Sequence, residues 1–291
     1  MTGFGARRAG GGGALQSVFD AGNIGVAYAL RKINADYTGD CVRIREDGGD
    51  TETDIGFDAN DAMDASAISS HIGANNGYKV SWYDQGSNSH TVSALADANE
   101  PLYSASDSNF NSKPVFTWDG SNDYLFKAAV SDTDVMNTDE GTLLAVINQN
   151  SASANNALFS IRNGNSNDDV INSLFDFGNI CYWDYGGFGS DDRISGSSPS
   201  GWDNTTHIIE CWRTTGSVQE IVIDGTQLVQ GTSMTASRTT GWTGNMRIGD
   251  LQFQGGTLFS GEIVELVTCL TDIGPTVRAA WRSEVESYYG L

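Results

Sequence analysis

From Lys113 onwards, apolar and polar residues alternate in short runs, each closed by Gly, Asn, Asp or Ser. A period of two marks a half-buried strand. The pattern predicts strands over 114–118, 124–127, 142–147, 157–162, 171–177, 179–183, 207–212, 219–223, 227–229, 246–249 and 261–269. Turn chemistry separates them, as in Trp118-Asp119-Gly120-Ser121-Asn122 and Ile223-Asp224-Gly225; the second is a strong hairpin signal. So many strands need a partner face to bury, which predicts an all-β chain folded as two stacked antiparallel sheets. Upstream, 41–45, 53–58 and the stretch ending at Trp82 read as a small meander, interrupted by a helical pattern from Met63 to Ile72. Residues 26–33 carry apolar positions at helical spacing after a capping Asn23, which predicts a helix at one end of the sandwich. A closing helix has Pro275 in its first turn and Ala279, Trp281 and Val285 near its apolar stripe.

Composition narrows the function classes. The chain has 16 basic and 37 acidic residues, a net charge of -21, which argues against a nucleic-acid partner because phosphate binding needs a basic footprint. No run is long and apolar enough for a membrane span, and the N-terminus lacks the apolar core of an export signal, so synthesis in the cytoplasm is expected. Cys41, Cys181, Cys211 and Cys269 each lie in a predicted strand, without Cys-x-x-Cys or His at metal-ligand spacing. They read as buried small hydrophobes, with a long-range disulfide as the alternative.

Residues 1–21 form a glycine-rich segment, and 22–291 form the folded domain. The segment is either a mobile tail or an arm that docks on a larger assembly, with Phe4 as anchor and Arg7 and Arg8 for an acidic groove. Asp58, Asp61 and Asp64 read as charge at a helix N-terminus; a structural calcium ion is the alternative, although three carboxylates fall short of its ~6–8 oxygens. No other cofactor is expected.

Gly186 to Gly201 reads as a long polar loop bracketed by Trp183, Tyr185 and Trp202, with Phe188 inside it and Asp184 beside it. Aromatic rings at a sandwich rim stack on the apolar face of a sugar while carboxylates and amides take its hydroxyls; the same rings also serve as core packing. Three scattered histidines, His71, His90 and His207, and the lack of a G-x-S-x-G elbow, P-loop or H-E-x-x-H motif point away from other hydrolytic chemistries.

Four segments in order, Tyr37-Thr38-Gly39, Val42-Arg43-Ile44-Arg45, Asp54 to Asn60 and Trp82-Tyr83-Asp84-Gln85, resemble the opening of the catalytic domain of α-L-arabinofuranosidase B. The block is also similar to virus-borne proteins with a concanavalin A-like (laminin-G-like) sandwich. Pro114 to Leu125 and Phe259 to Leu266, followed by the terminal helix, resemble that family's later strands and its closing helix. The resemblance implies a concanavalin A-like jelly roll of two antiparallel sheets with a few peripheral helices. It places an acid/base candidate at Asp250, in Gly249-Asp250, and it aligns the nucleophile with Gly178, or with Asp176 after a shift of about two residues. The family's vicinal cysteine pair is missing. A retaining enzyme without its nucleophile loses the covalent step.

The resemblance therefore implies a virion structural protein of a tailed phage or phage-like particle such as a gene transfer agent: a head spike, decoration or fibre component. Its lectin-like domain would bind host surface polysaccharide, its arm would hold other particle proteins, and the subunit would be a homo-oligomer exposed on the particle surface. A glycoside hydrolase using Asp250 and Asp176 is the alternative.

Overall fold

The computed structural model describes residues 18–150, 156–164, 169–174, 176–187, 192–215, 218–232, 241–251 and 257–291. Phe4, Arg7, Arg8 and Phe188 lie outside the described residues. The first strands are β1 (Ile24–Ala29), β2 (Val42–Glu46), β3 (Glu52–Ile55), β4 (Gly77–Trp82), β5 (Val92–Ser93) and β6 (Leu102–Asp107), with α1 (Ala65–Ile72) between β3 and β4. Next come β7 (Lys113–Asp119), β8 (Leu125–Ser131), β9 (Gly141–Gln149), β10 (Ala157–Arg162), β11 (Val170–Leu174) and β12 (Ile180–Gly186). The chain continues through β13 (Arg193–Ser197), β14 (Thr206–Arg213), β15 (Gln219–Ile223), β16 (Thr226–Gly231), β17 (Thr243–Ile248) and β18 (Ser260–Cys269), and closes with α2 (Gly274–Tyr289).

These strands build a two-layer antiparallel sandwich. The back layer runs β1–β18–β9–β14–β15–β16. The front layer runs β8–β17–β10–β11–β12–β13. The meander β7–β6–β4–β2–β3 joins the start of β18, and β5 ties β4 to β8. One apolar cluster fills the space between the layers. It takes Leu143, Ala145 and Ile147 from the back and Phe159, Ile161, Ile171, Trp183 and Met246 from the front. All four cysteines are buried and free, so burial and not cross-linking accounts for them.

The local chemistry of the turns and helix ends is as the residue types require. Asp64 caps α1 by accepting from the Ser66 and Ala67 amides, and Gly290 ends α2 in the left-handed region at φ +73°. The hairpin between β15 and β16 turns on Asp224 and Gly225, both with positive φ. Gly261 in β18 sits at φ +132°, and an added Cβ there would lie 2.0 Å from the Asn148 carbonyl oxygen.

Three expectations are corrected. Residues 26–33 do not form a helix: Ile24–Ala29 is strand β1, paired with β18 and buried at every position. A run buried on both faces has no alternation, so spacing alone cannot separate it from a buried helix. The segment 186–201 is not one loop, because Arg193–Ser197 is strand β13 paired with β12. The buried stripe of α2 is Arg278, Trp281, Val285 and Tyr289, while Ala279 faces solvent.

Candidate functional site

Directly opposed residues of antiparallel strands share a face. On the front layer this rule lines up one polar row across five strands: Arg247 of β17 opposite Ser160 of β10, Ser160 opposite Asn172 of β11, Asn172 opposite Asp184 of β12, and Asp184 opposite Arg193 of β13. The neighbouring positions Met246, Ile161, Ile171, Trp183 and Ile194 belong to the core cluster, so the polar row faces away from it. The floor of the row is deeply placed: Ser160, Asn172 and Asp184 are all buried, whereas the side chains of Arg193 and Arg247 stay 29% and 21% exposed.

Each end of the row has the same three components. At one end Arg193 clasps Asp184 through Nε and Nη2 at 2.5 and 2.8 Å, and its guanidinium carbon lies 4.7 Å from the centre of the half-buried Tyr182 ring. At the other end Arg247 donates to the Asp250 carboxylate, and its guanidinium carbon lies 4.8 Å from the Tyr124 ring centre. Two neutral side chains fill the middle: Ser160 donates to the Asp250 carbonyl at 3.0 Å, and Asn172 donates to the Asp184 carboxylate. Among the described residues, the buried Asn172 amide oxygen and Arg247 Nε have no hydrogen-bond partner. Burial pushes the Asp184 carboxyl up to about 6 against the pull of Arg193 and Asn172, and burial likewise raises Asp250 against the pull of Arg247.

The structure relocates the residues singled out from sequence. Asp184 and Asp250 belong to the polar row. Trp183 and Tyr185, adjacent to Asp184 on β12, point the opposite way and are fully buried. Trp202 is also buried, with its ring stacked 4.2 Å from His207. None of the three rings stands at a rim with an open face, which corrects the expectation that they stack on a sugar. The physical reason is strand parity: if odd positions of β12 fill the core, even positions, Tyr182 and Asp184, must face outward.

Asp176 follows β11 at φ +64° and accepts from Gln149 Nε2 at 2.8 Å and Ser198 Oγ at 3.0 Å. Its partners are thus distinct from those of Asp250. Burial raises its carboxyl as well.

The sequence pattern does not single out Arg247, Ser160, Asn172, Arg193 or Tyr182. The alternation of Cys181, Trp183 and Tyr185 with Tyr182 and Asp184 was the available signal for one of them. The others depend on cross-strand register, which no local pattern reveals. Among the described residues, no group of three or more His, Cys, Asp or Glu side chains is placed to hold a metal ion. Asp58 instead accepts from the Asn60 and Ala62 amides at 2.8 and 3.0 Å, and Asp64 caps α1.

Comparison with known proteins places this architecture. No protein-family model matches the chain, and no curated protein matches it. Among solved structures, an arabinofuranosidase complexed with arabinofuranosyl-alpha-1,2-xylobiose superposes with a TM-score of 0.67 at 12% identity, over 91% of this chain and 63% of that one. A GH54 α-L-arabinofuranosidase soaked with a cyclic sulfate inhibitor gives 0.66 at 11% identity, over 92% and 64%. Trypanosoma rangeli sialidase in complex with sialic acid gives 0.50 at 11% identity, over 72% and 31%. The chain spans less than two thirds of the length of either arabinofuranosidase. At these identities the likeness is one of fold: a β-sandwich of the kind built by glycosidase domains.

Proposed function

We propose that this chain is a carbohydrate-binding protein that engages a glycan on the outer face of its front layer. The observation that carries the proposal is the polar row from Arg247 to Arg193, floored by buried Ser160, Asn172 and Asp184 and flanked by half-buried Tyr124 and Tyr182. Guanidinium groups donate to sugar hydroxyls, the buried carboxylates hold those guanidinium groups in place, and a tyrosine ring covers the apolar face of the sugar. The arrangement is fixed before a ligand arrives, because ion pairs and strand register already hold each group. That limits the ordering cost of binding.

A glycan array probed with the intact chain tests this. Wild-type protein is expected to bind at least one glycan, and Asp184→Asn, which removes the charge that orients Arg193, is expected to weaken binding about tenfold or more, the worth of one charge-assisted hydrogen bond. A blank array, or equal binding by the variant, would count against the proposal.

The biological setting we propose is the surface of a tailed phage or phage-like particle, with host polysaccharide as the target and residues 1–21 as the arm that attaches the domain to other particle proteins. Its support is the resemblance of Tyr37 to Gln85 to virus-borne sandwiches. Particles lacking the protein are expected to assemble but adsorb poorly to encapsulated cells; unchanged adsorption would argue against this setting.

One observation favours hydrolysis as a second reading. The resemblance to the arabinofuranosidase catalytic domain aligns Asp250 with the acid/base, and burial raises that carboxyl, the direction a proton donor needs. Release of reducing ends from a bound glycan, abolished in Asp250→Asn, would establish that reading.

A further inference from the structure

The two ends of the polar row repeat one arrangement. Asp184, Arg193 and Tyr182 form a carboxylate, a guanidinium and a ring at 4.7 Å; Asp250, Arg247 and Tyr124 form the same set with the ring at 4.8 Å. They come from different strands and different local geometry. Arg193 meets Asp184 across a strand pair, whereas Arg247 meets Asp250 three residues further along its own chain. The likeness is therefore not a by-product of one repeated turn or one repeated sequence.

Between the two sets lie β10 and β11, whose contributions, Ser160 and Asn172, are neutral and polar. Arg247 and Arg193 are separated by four strand spacings, about 19 Å at ~4.8 Å each. That span exceeds a single monosaccharide. A terminal sugar would use one set and leave the other idle.

Resting on the carbohydrate reading, we infer that this face holds two separate sugar subsites that read one glycan chain at two points, so that the ligand is an internal stretch of a polysaccharide and not a terminal residue. Each subsite holds one sugar by its own arginine and tyrosine, with the guanidinium fixed in place by its buried carboxylate. Ser160 and Asn172, buried between them, place no charged group under the units in between. Once one subsite is filled, the second binding event is intramolecular, and the joint affinity exceeds either one by about 10²–10⁴-fold without any new contact.

The test uses arabino-, xylo-, galacturono- and sialo-oligosaccharides of increasing length, from a single sugar to chains longer than the row, with affinities measured by calorimetry on the full chain. At least one series is expected to show weak binding of its short members and a rise of about 100-fold or more once the oligomer spans both ends. Tyr124→Ala and Tyr182→Ala remove one ring each and leave both ion pairs in place. Either is expected to abolish that rise while short oligomers still bind, and the double variant is expected to weaken the short ones too. Thermal melts of the variants check that the fold persists. Binding independent of length, or a loss confined to one of the two tyrosine variants, would overturn the inference while leaving a single carbohydrate site. No binding by any series would overturn both.

Discussion

Replacing Glu265 with alanine is expected to cost the fold about 3–5 kcal/mol, the penalty for stranding one partner of a buried ion pair. Glu265 sits in β18 and is wholly buried, as is Arg31, which donates to it from Nε and, at 3.3 Å, from Nη2. The Trp281 indole of α2 donates to the same carboxylate at 3.2 Å. Glu265 thus fastens the strand, the chain after β1 and the closing helix at one point. In the variant Glu284, partly exposed and 3.4 Å from Arg31, is the one carboxylate left to the guanidinium among the described residues. A domain with a total stability of about 5–15 kcal/mol would lose a large share of it. Chemical denaturation checks the value. The paired change Arg31→Met with Glu265→Met is expected to recover most of the loss, because a buried pair exchanged for apolar groups is often neutral or stabilising. No recovery would mean that the packing of α2, and not charge pairing, sets the cost.

The opposite sign is expected at Lys79. Its ammonium is fully buried, has no hydrogen-bond partner, and lies 3.8 and 3.9 Å from the ring centres of Trp82 and Trp118 and 4.6 Å from that of Phe116. Three ring faces attract a cation, but a desolvated cation–π contact returns about 2 kcal/mol, whereas removing an ammonium from water costs several. Desolvation wins, and the amine is held well below its ordinary 10.5. Lys79→Met, of similar volume, is expected to stabilise the protein by on the order of 1–4 kcal/mol near neutral pH. The pH dependence has a definite sign. With the folded pKa depressed, the unfolded chain binds more protons between the two values, so wild-type stability rises with pH up to about 10.5. The advantage of Lys79→Met should therefore shrink as pH climbs towards 10.5. An advantage that is constant with pH, or a destabilised variant, would show that the cage holds the cation at no net cost.

Much of the sandwich is legible in sequence. Strands such as β7, β10 and β15 read as short apolar runs closed by turn residues, Asp224-Gly225 announces a hairpin, and Pro275 opens the last helix. The failures share a cause, namely that burial on both faces or on neither erases the period. Ile24–Ala29 is buried throughout and mimics a helix; Arg193–Ser197 is a polar strand and mimics a loop. The site was half legible. Asp184 and Asp250 stand out as carboxylates beside aromatic or turn residues. Trp183 and Tyr185 are large rings beside a polar stretch, but they occupy the parity that fills the core. Arg247 joins Ser160 and Asn172 only through pairing of β17 with β10, strands far apart in the chain.

Hydrogen–deuterium exchange of the intact chain, with and without the tightest-binding glycan of the array, tests the central claim most directly. Binding at the proposed face predicts slowed exchange across β10, β11, β12, β13 and β17, with α2 and β14 to β16 unchanged. Slowed exchange confined to the back layer or to α2 would contradict it.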